Sequence, residues 1–227
     1  MIRQLGAELL GTFLVVLAAA GAPAVDAWLH AAGQPMLGTL GAALAYGLAA
    51  AAMTEALAPV SGGHLNPAIS LGAWVTRRLN ALGLFGYVAA QLAGGIAAAW
   101  LLRALVPESA WRAAALGTPA LASSLTRVQG MGLEAALTFA VALVFFRTAI
   151  VSGRPSGWAV GAVVAAAGMV GGPLTGAALN PARAFGPAIV SHQWANIGVW
   201  WVGPLTGGAL AGWAAEALGK TPGERMA

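Results

Sequence analysis

Ser61-Gly62-Gly63-His64-Leu65-Asn66-Pro67-Ala68 and Thr175-Gly176-Ala177-Ala178-Leu179-Asn180-Pro181-Ala182 are two versions of one phrase, and how they are read decides the fold. Each puts a run of small residues before Leu-Asn-Pro-Ala and leads into a short apolar segment, Ile69 to Val75 and Ala184 to Val190. Asn is among the best helix N-caps and Pro is favoured at the first helical position, so each Asn-Pro predicts a helix start. Neither helix can run far, because Arg77-Arg78 follows the first and Ser191-His192-Gln193 the second. About ten residues remain for each, roughly 15 Å of helix, half of a hydrocarbon core about 30 Å thick. The sequence thus predicts two half-spanning helices, each opening on an Asn.

The rest of the chain has a composition suited to lipid. Of its 227 residues, 59% are hydrophobic and 8% charged, against roughly 25% charged in an average soluble domain. The absence of cysteine excludes disulfides, thiolate catalysis and sulfur-ligated metals. The formal charge of +4 comes from 11 Lys and Arg against 7 Asp and Glu. The basic residues are scattered, which argues against a nucleic-acid partner and makes them markers of membrane topology. Met1-Ile2-Arg3 and the apolar run to Ala22 have the outline of a signal peptide, but Glu8 interrupts the run and the same pattern returns later.

Six segments are long and apolar enough to span: Leu5 to Gly21, Met36 to Leu57, Ala81 to Leu105, Met131 to Val151, Gly157 to Val170 with its flanks, and Ile197 to Leu218. Asp26 with Pro23 and Pro35 marks a loop after the first, and Pro107 to Gln129 reads as a long connecting loop. A polar tail, Lys220 to Ala227, ends the chain.

The two halves repeat. Ala7-Glu8-Leu9-Leu10-Gly11-Thr12-Phe13 matches Leu133-Glu134-Ala135-Ala136-Leu137-Thr138-Phe139, and Gln91-Leu92-Ala93-Gly94-Gly95 matches Pro204-Leu205-Thr206-Gly207-Gly208. With the Asn-Pro-Ala phrases these landmarks fall in the same order in both halves, which delimits one transmembrane domain with repeats at about 1–106 and 130–219 joined by the segment 107–129. Three spans per half is an odd number, so the repeats are inverted in the membrane. The expected fold is an all-α membrane protein with six transmembrane helices plus two re-entrant half-helices. The positive-inside rule places Arg3, Arg77, Arg78, Arg147, Arg154, Lys220 and Arg225 in the cytoplasm and Arg103, Arg112 and Arg127 outside, with both termini cytoplasmic.

Half-helices entering from opposite faces bring Asn66 and Asn180 together near the midplane. Non-helical backbone at that depth is tolerated where protein covers it or where it lines a wet cavity. The approaches Pro59 to Leu65 and Gly172 to Leu179 read as such backbone, their carbonyls a ladder of acceptors. The Asn amides are donors, and each helix N-terminus adds about half a positive charge at the meeting point. Water is held there by donated hydrogen bonds, whereas a cation or hydronium meets a barrier. Arg183 lies three residues beyond Asn180, on nearly the same face and one turn nearer the exterior, and its counterpart in the first half is Ile69. A charge at that depth faces a cavity or snorkels to the interface.

These residues resemble the major intrinsic protein family, the aquaporins and glycerol facilitators. The resemblance spans nearly the whole chain: both Asn-Pro-Ala motifs, Ser61-Gly62-Gly63-His64, Arg183, the Glu8 and Glu134 pair, and Trp201-Val202-Gly203-Pro204. It implies one pore per subunit, a homotetramer and passive permeation; the short, alanine-rich character of the chain, apart from the resemblance, points to a cell's inner membrane. It also implies an outer filter, which falls here on Tyr46, Gly168, Ala177 and Arg183. Gly168 stands where water-selective members usually carry His. Ala184 stands where glycerol facilitators typically carry Asp, while Trp200-Trp201 is of the water-channel type. The expectation is a water channel that also admits small neutral solutes such as glycerol, urea or metalloid hydroxides.

Glu8 and Glu134 are intramembrane acids, open to a proton-carrying reading, but their equivalence and the resemblance favour bracing the re-entrant loops. His64 fits a similar bracing bond or a pH gate. Glu55 has no repeat partner and reads as a solvated end of its helix. His30 and His192 lack ligand spacing with any acid, so neither a metal site nor a cofactor is expected. Ser61 near His64 lacks the third residue and the elbow of a hydrolase. The chief alternative is an ion-coupled secondary transporter, but the broken segments offer Asn, Arg183 and small residues rather than a titratable coupling pair.

Overall fold

The computed structural model describes residues 1–219. Among them lie nine α-helices and no strand: α1 (Ile2–Ala31), α2 (Gly38–Ser61), α3 (Pro67–Val75), α4 (Ala81–Leu105), α5 (Glu108–Ala113), α6 (Arg127–Ser152), α7 (Gly157–Thr175), α8 (Pro181–Ser191) and α9 (Val199–Leu218). Six are long and two are the half-spanning pair. Of the long ones, α1, α2, α4, α6 and α7 each hold a stretch long and apolar enough to cross a membrane. The sixth, α9, has 20 residues, enough to span, with its hydropathy lowered by three Trp and four Gly. The tail, with the predicted cytoplasmic Lys220 and Arg225, lies outside the described residues.

The order of elements repeats after α5, and so does the packing. α1 packs on α4 as α6 packs on α9, and α2 meets α7 across the centre. The half-helices are exchanged: α3 lies on α9 and α8 on α4. Glycines permit these approaches. A Cβ on Gly47 would stand 2.5 Å from the carbonyl of Gly161, and one on Gly161 would stand 2.3 Å from that of Gly47. The Gly-Gly pairs in α4 and α9 serve the exchanged helices in the same way, Gly95 against the carbonyl of Ala182 and Gly208 against that of Ala68. This is the small-residue packing that replaces hydrophobic driving force inside lipid.

Several boundaries differ from the sequence reading. The first span does not stop at Gly21; it continues to Ala31 with Pro23 inside. Asp26 is a buried helical residue whose carboxylate accepts from the backbone N–H groups of Leu37 (2.6 Å) and Gly38 (2.8 Å). It thereby satisfies orphan donors at the start of α2, which has no capping side chain of its own. The approaches are also shorter than expected. Pro59 and Pro173 sit in the last turns of α2 and α7, which end at left-handed Gly62 and Gly176. The non-helical backbone is therefore only Gly62 to Asn66 and Gly176 to Asn180. The connection 107–129 is not a plain loop: it holds α5 and a 3₁₀ turn at Ala115–Gly117, and α6 begins within it at Arg127, under a capping box of Thr126 and Gln129. Glu55 is not merely solvated; it pairs with Arg154 at 2.6 Å and accepts from the N–H of Gly157 at 3.0 Å, so it caps α7.

Candidate permeation site

Each re-entrant loop is built the same way. Asn66 and Asn180 are extended N-cap residues whose side-chain oxygens accept from Ala68 N–H (2.8 Å) and Ala182 N–H (2.9 Å), with Pro67 and Pro181 next in line. Their amides reach across: Asn66 Nδ2 donates to the carbonyl of Leu179 at 2.8 Å, and Asn180 Nδ2 to that of Leu65 at 2.9 Å. An amide carries two N–H donors, so each Asn keeps one beyond this tie. Leu65 and Leu179 have positive φ, 52° and 58°, the conformation that turns the chain into the following Asn.

Behind each loop sits a buried carboxylate. Glu8 accepts from Ser61 Oγ (2.6 Å), His64 N–H (3.0 Å), Leu65 N–H (2.6 Å) and Gln91 Nε2 (2.7 Å). Glu134 accepts from Thr175 Oγ1 (2.6 Å), Ala178 N–H (2.9 Å) and Leu179 N–H (2.8 Å). An aromatic donor closes the end of the preceding helix in both halves, Tyr87 Oη to the carbonyl of Ser61 (2.7 Å) and Trp200 Nε1 to that of Thr175 (2.8 Å). His64 is in contact with Ser70 Oγ at 3.2 Å through Nδ1, and its ring stands edge-on to Tyr87 and Phe145. Ser70 and Gln91 have no polar counterpart in the second half, where Ala184 and Pro204 stand, so the first brace is the more heavily bonded.

Tyr46, Gly168, Ala177 and Arg183 line one cavity of about 670 Å³, which also touches Asp26, Thr39, Gly117 and Pro119. Arg183 is 3% exposed, which rules out snorkelling to the interface. Its guanidinium donates to the carbonyls of Gly117 (2.7 Å) and Ala19 (3.3 Å), while Nε has no protein partner. Tyr46 Oη donates to the carbonyl of Ala178 at 2.9 Å. Gly168 is a close-approach residue as well as a lining one, since a Cβ there would come 2.9 Å from Ala43 Cβ.

Gly117 and Asp26 were not visible as site residues in the sequence. Gly117 acts through a carbonyl, which every residue has. Its glycine identity is the only trace: φ is +68°, and a Cβ would stand 2.2 Å from the carbonyl of Ala20. Among the described residues no group of three or more His, Asp or Glu gathers for a metal.

Crossed half-helices with amide tips, acid-braced loops and a cavity leading to a buried Arg define a membrane channel. The profile of the family described as "Major intrinsic protein" matches residues 1–215, and the chain belongs to that family. It is 40% identical over 224 residues to aquaporin TIP4-4 of Zea mays, covering 96% of this chain and 86% of that one. It is also 40% identical to the lens fiber major intrinsic protein of Gallus gallus, over 92% of this chain and 78% of that one. The aquaglyceroporin of Plasmodium falciparum superposes over 100% of this chain and 99% of its own, with TM-score 0.82 at 23% identity, a likeness of fold. The protein is a passive channel for water and small solutes, and not an enzyme.

Proposed function

We propose that the conduction path runs past Asn66 and Asn180 and through a constriction made by Tyr46, Gly168, Ala177 and Arg183, passing water and small neutral solutes while excluding protons and ions. The observation that carries this reading is the reciprocal tie of the two Asn amides, which leaves each with one spare donor at the junction of two helix N-termini. A water molecule there accepts from both amides and has its oxygen fixed, which breaks the donor chain that proton hopping needs. Arg183 adds a full positive charge one turn away. Glu8, Glu134 and His64 hold the loops that aim these groups.

The assigned constriction is short of side chains. Gly168 and Ala177 contribute little bulk, so the opening admits solutes larger than water such as glycerol, urea or undissociated metalloid hydroxides. The distribution of basic residues supports cytoplasmic termini, with the Tyr46 and Arg183 cavity opening outward, and the short, alanine-rich character of the chain supports a cell's inner membrane. Family membership supports a homotetramer with one pore in each subunit, and the domain limits remain repeats at about 1–106 and 130–219. Stopped-flow permeability of proteoliposomes to water, glycerol and arsenous acid tests the reading. Expected is fast, non-saturating flux of all three with no proton leak; saturating, gradient-driven flux overturns it.

A further inference from the structure

The last spans of the two repeats are not finished alike. In the last turn of α9, Glu216 is paired with Arg78, just beyond the half-helix α3 that lies on α9. With the Gly-Gly pairs as register, the equivalent residue of α4 is Arg103, also in the last turn of its helix. Arg103 reaches the half-helix α8 by donating to the carbonyl of Val190 at 3.1 Å. The tie between span and half-helix is thus kept, but the opposite charge is missing. Among the described residues no carboxylate pairs with Arg103. One carbonyl and the negative end of α4 offset only part of its charge.

A second cation stands beside it. Trp111, buried in α5 at 7% exposure, has the Arg103 guanidinium 4.9 Å from its ring centroid and that of Arg112 at 4.8 Å. Two guanidinium groups therefore share one ring and lie within about 10 Å of each other, a spacing that favours a common anion over mutual repulsion. Planar guanidinium forks match the oxygens of a phosphate, and stacking on an aromatic ring fixes them for it. Glu108 holds Arg112 at 2.7 Å, but both side chains are about two-thirds exposed, so the pair is weak and opens readily to a competing acceptor. Two cations and one acid leave the cluster with one net positive charge.

Its surroundings say what kind of anion fits. Trp100 and Leu105 flank Arg103 on α4 with 55% and 72% of their surface exposed, and the Trp100 ring lies 5.2 Å from the Arg103 guanidinium. Exposed Trp beside Arg at the end of a spanning helix belongs to the boundary between headgroups and hydrocarbon. A free phosphate would use the cations and leave this apolar flank bare, whereas a lipid covers both.

We propose that Arg103, Arg112 and Trp111 form a headgroup site for an anionic phospholipid, its phosphodiester held between the two guanidinium groups and an acyl chain lying along Trp100 and Leu105. A zwitterionic headgroup brings its own ammonium and leaves the net positive charge of the cluster in place, so anionic lipids are preferred. The topology proposed above puts the site in the outer leaflet; the site itself does not depend on that topology or on the conduction path.

The test is the unfolding midpoint of the delipidated full chain in detergent, titrated separately with phosphatidylglycerol, phosphatidylethanolamine and inorganic phosphate. Phosphatidylglycerol is expected to raise the midpoint saturably, and the other two to raise it little. In the double variant Arg103→Gln, Arg112→Gln the apparent dissociation constant for phosphatidylglycerol is expected to weaken about tenfold or more, while Arg127→Gln, outside the cluster, leaves it within about twofold. Equal stabilisation by phosphatidylethanolamine overturns the preference for anionic lipid, and a shift reproduced by inorganic phosphate overturns the lipid as ligand. A double variant that melts lower but binds phosphatidylglycerol as wild type does shows the cluster to be a brace between α4 and α5 and overturns the site. Should the double variant fail to fold, Arg112→Gln alone decides, since its exposed side chain bonds only to Glu108: weakening of about threefold or more supports the site, and an unchanged constant overturns it.

Discussion

The amide of Asn66 is bonded to the carbonyl of Leu179, and the amide of Asn180 to that of Leu65, so each half-helix is capped by a residue anchored in the opposite loop. Neither Asn is positioned by its own half alone. Replacing either amide by a carboxylate removes two donors and sets an anionic oxygen against a carbonyl. Asn180→Asp is expected to lose about 3 kcal/mol of stability, and its water flux to fall about tenfold or more as the junction loses its fixed donors. Thermal unfolding in detergent and stopped-flow swelling measure the two effects, and a variant with both near wild type would remove the cross-tie from the mechanism.

Glu8 receives four donors and Glu134 three, at equivalent places in the two repeats. In a glutamine the NH₂ group faces donors where an oxygen was wanted, leaving buried N–H groups without acceptors. Both Glu8→Gln and Glu134→Gln are expected to destabilise by about 2–4 kcal/mol, Glu8→Gln by more. If the acids carried protons instead, the variants would stay as stable as wild type and change only a pH-dependent leak, which a pyranine-loaded vesicle assay reports.

Arg183 brings the one charge to the constriction and ties the 3₁₀ turn through Gly117. Arg183→Val removes both. Lowering the electrostatic barrier by about 2–3 kcal/mol corresponds to a roughly 100-fold rise in monovalent cation leak. Planar-bilayer conductance checks this, and an equally tight variant would show that the half-helix dipoles suffice.

Substituting Gly168 tests the helix crossing together with the filter, because its Cα faces Ala43. Gly168→His alone is expected to cost about 1–3 kcal/mol by forcing α2 from α7. Pairing it with Ala43→Gly recovers much of that loss, since the nearest remaining contact is the Cα at 3.1 Å. In the recovered double variant, glycerol flux falls relative to water if the imidazole enters the opening. Melting curves and swelling rates on the same preparations separate the two effects.

Glu55 and Arg154 are half-exposed partners with unequal duties. Arg154→Ala loses a screened ion pair and is expected to cost less than about 1 kcal/mol. Glu55→Ala also removes the acceptor of the Gly157 N–H in the first turn of α7 and is expected to lower the denaturation midpoint further than Arg154→Ala. Denaturation midpoints of the two variants would rank them, and an equal cost would remove the cap from the account.

What could be read from the chain in advance were the features that are local. Asn followed by Pro starts a helix whatever surrounds it, and α3 and α8 begin where the motif places them. The span Ala81–Leu105 was bounded correctly at both ends, and the structure shows the cause at its start, where the Asn80 side chain accepts from the Gly83 N–H. What failed were features whose cause lies elsewhere in the fold. Asp26 and Pro23 have loop chemistry, yet they belong to α1 because the carboxylate of Asp26 is used eleven residues on by the start of α2. Pro59 and Pro173 suggested broken backbone, but a proline near a helix end removes few bonds, and the breaks fall at the glycines after them. Glu55 found its partner 99 residues away, and Arg183 found a backbone carbonyl in a connection that sequence patterning left featureless.

The exchange of half-helices between repeats has a bearing on how such a chain can exist at all. With α3 lodged under Gly208 of α9 and α8 under Gly95 of α4, a lone repeat has an empty berth in its own last span and a short helix with nowhere to rest. Only a second repeat inserted upside down fills both vacancies. Segments 1–106 and 130–219, produced as separate polypeptides, are therefore expected to seek each other out in the bilayer. The covalent link between them fixes stoichiometry and opposed insertion, while mutual recognition is already written into the spans.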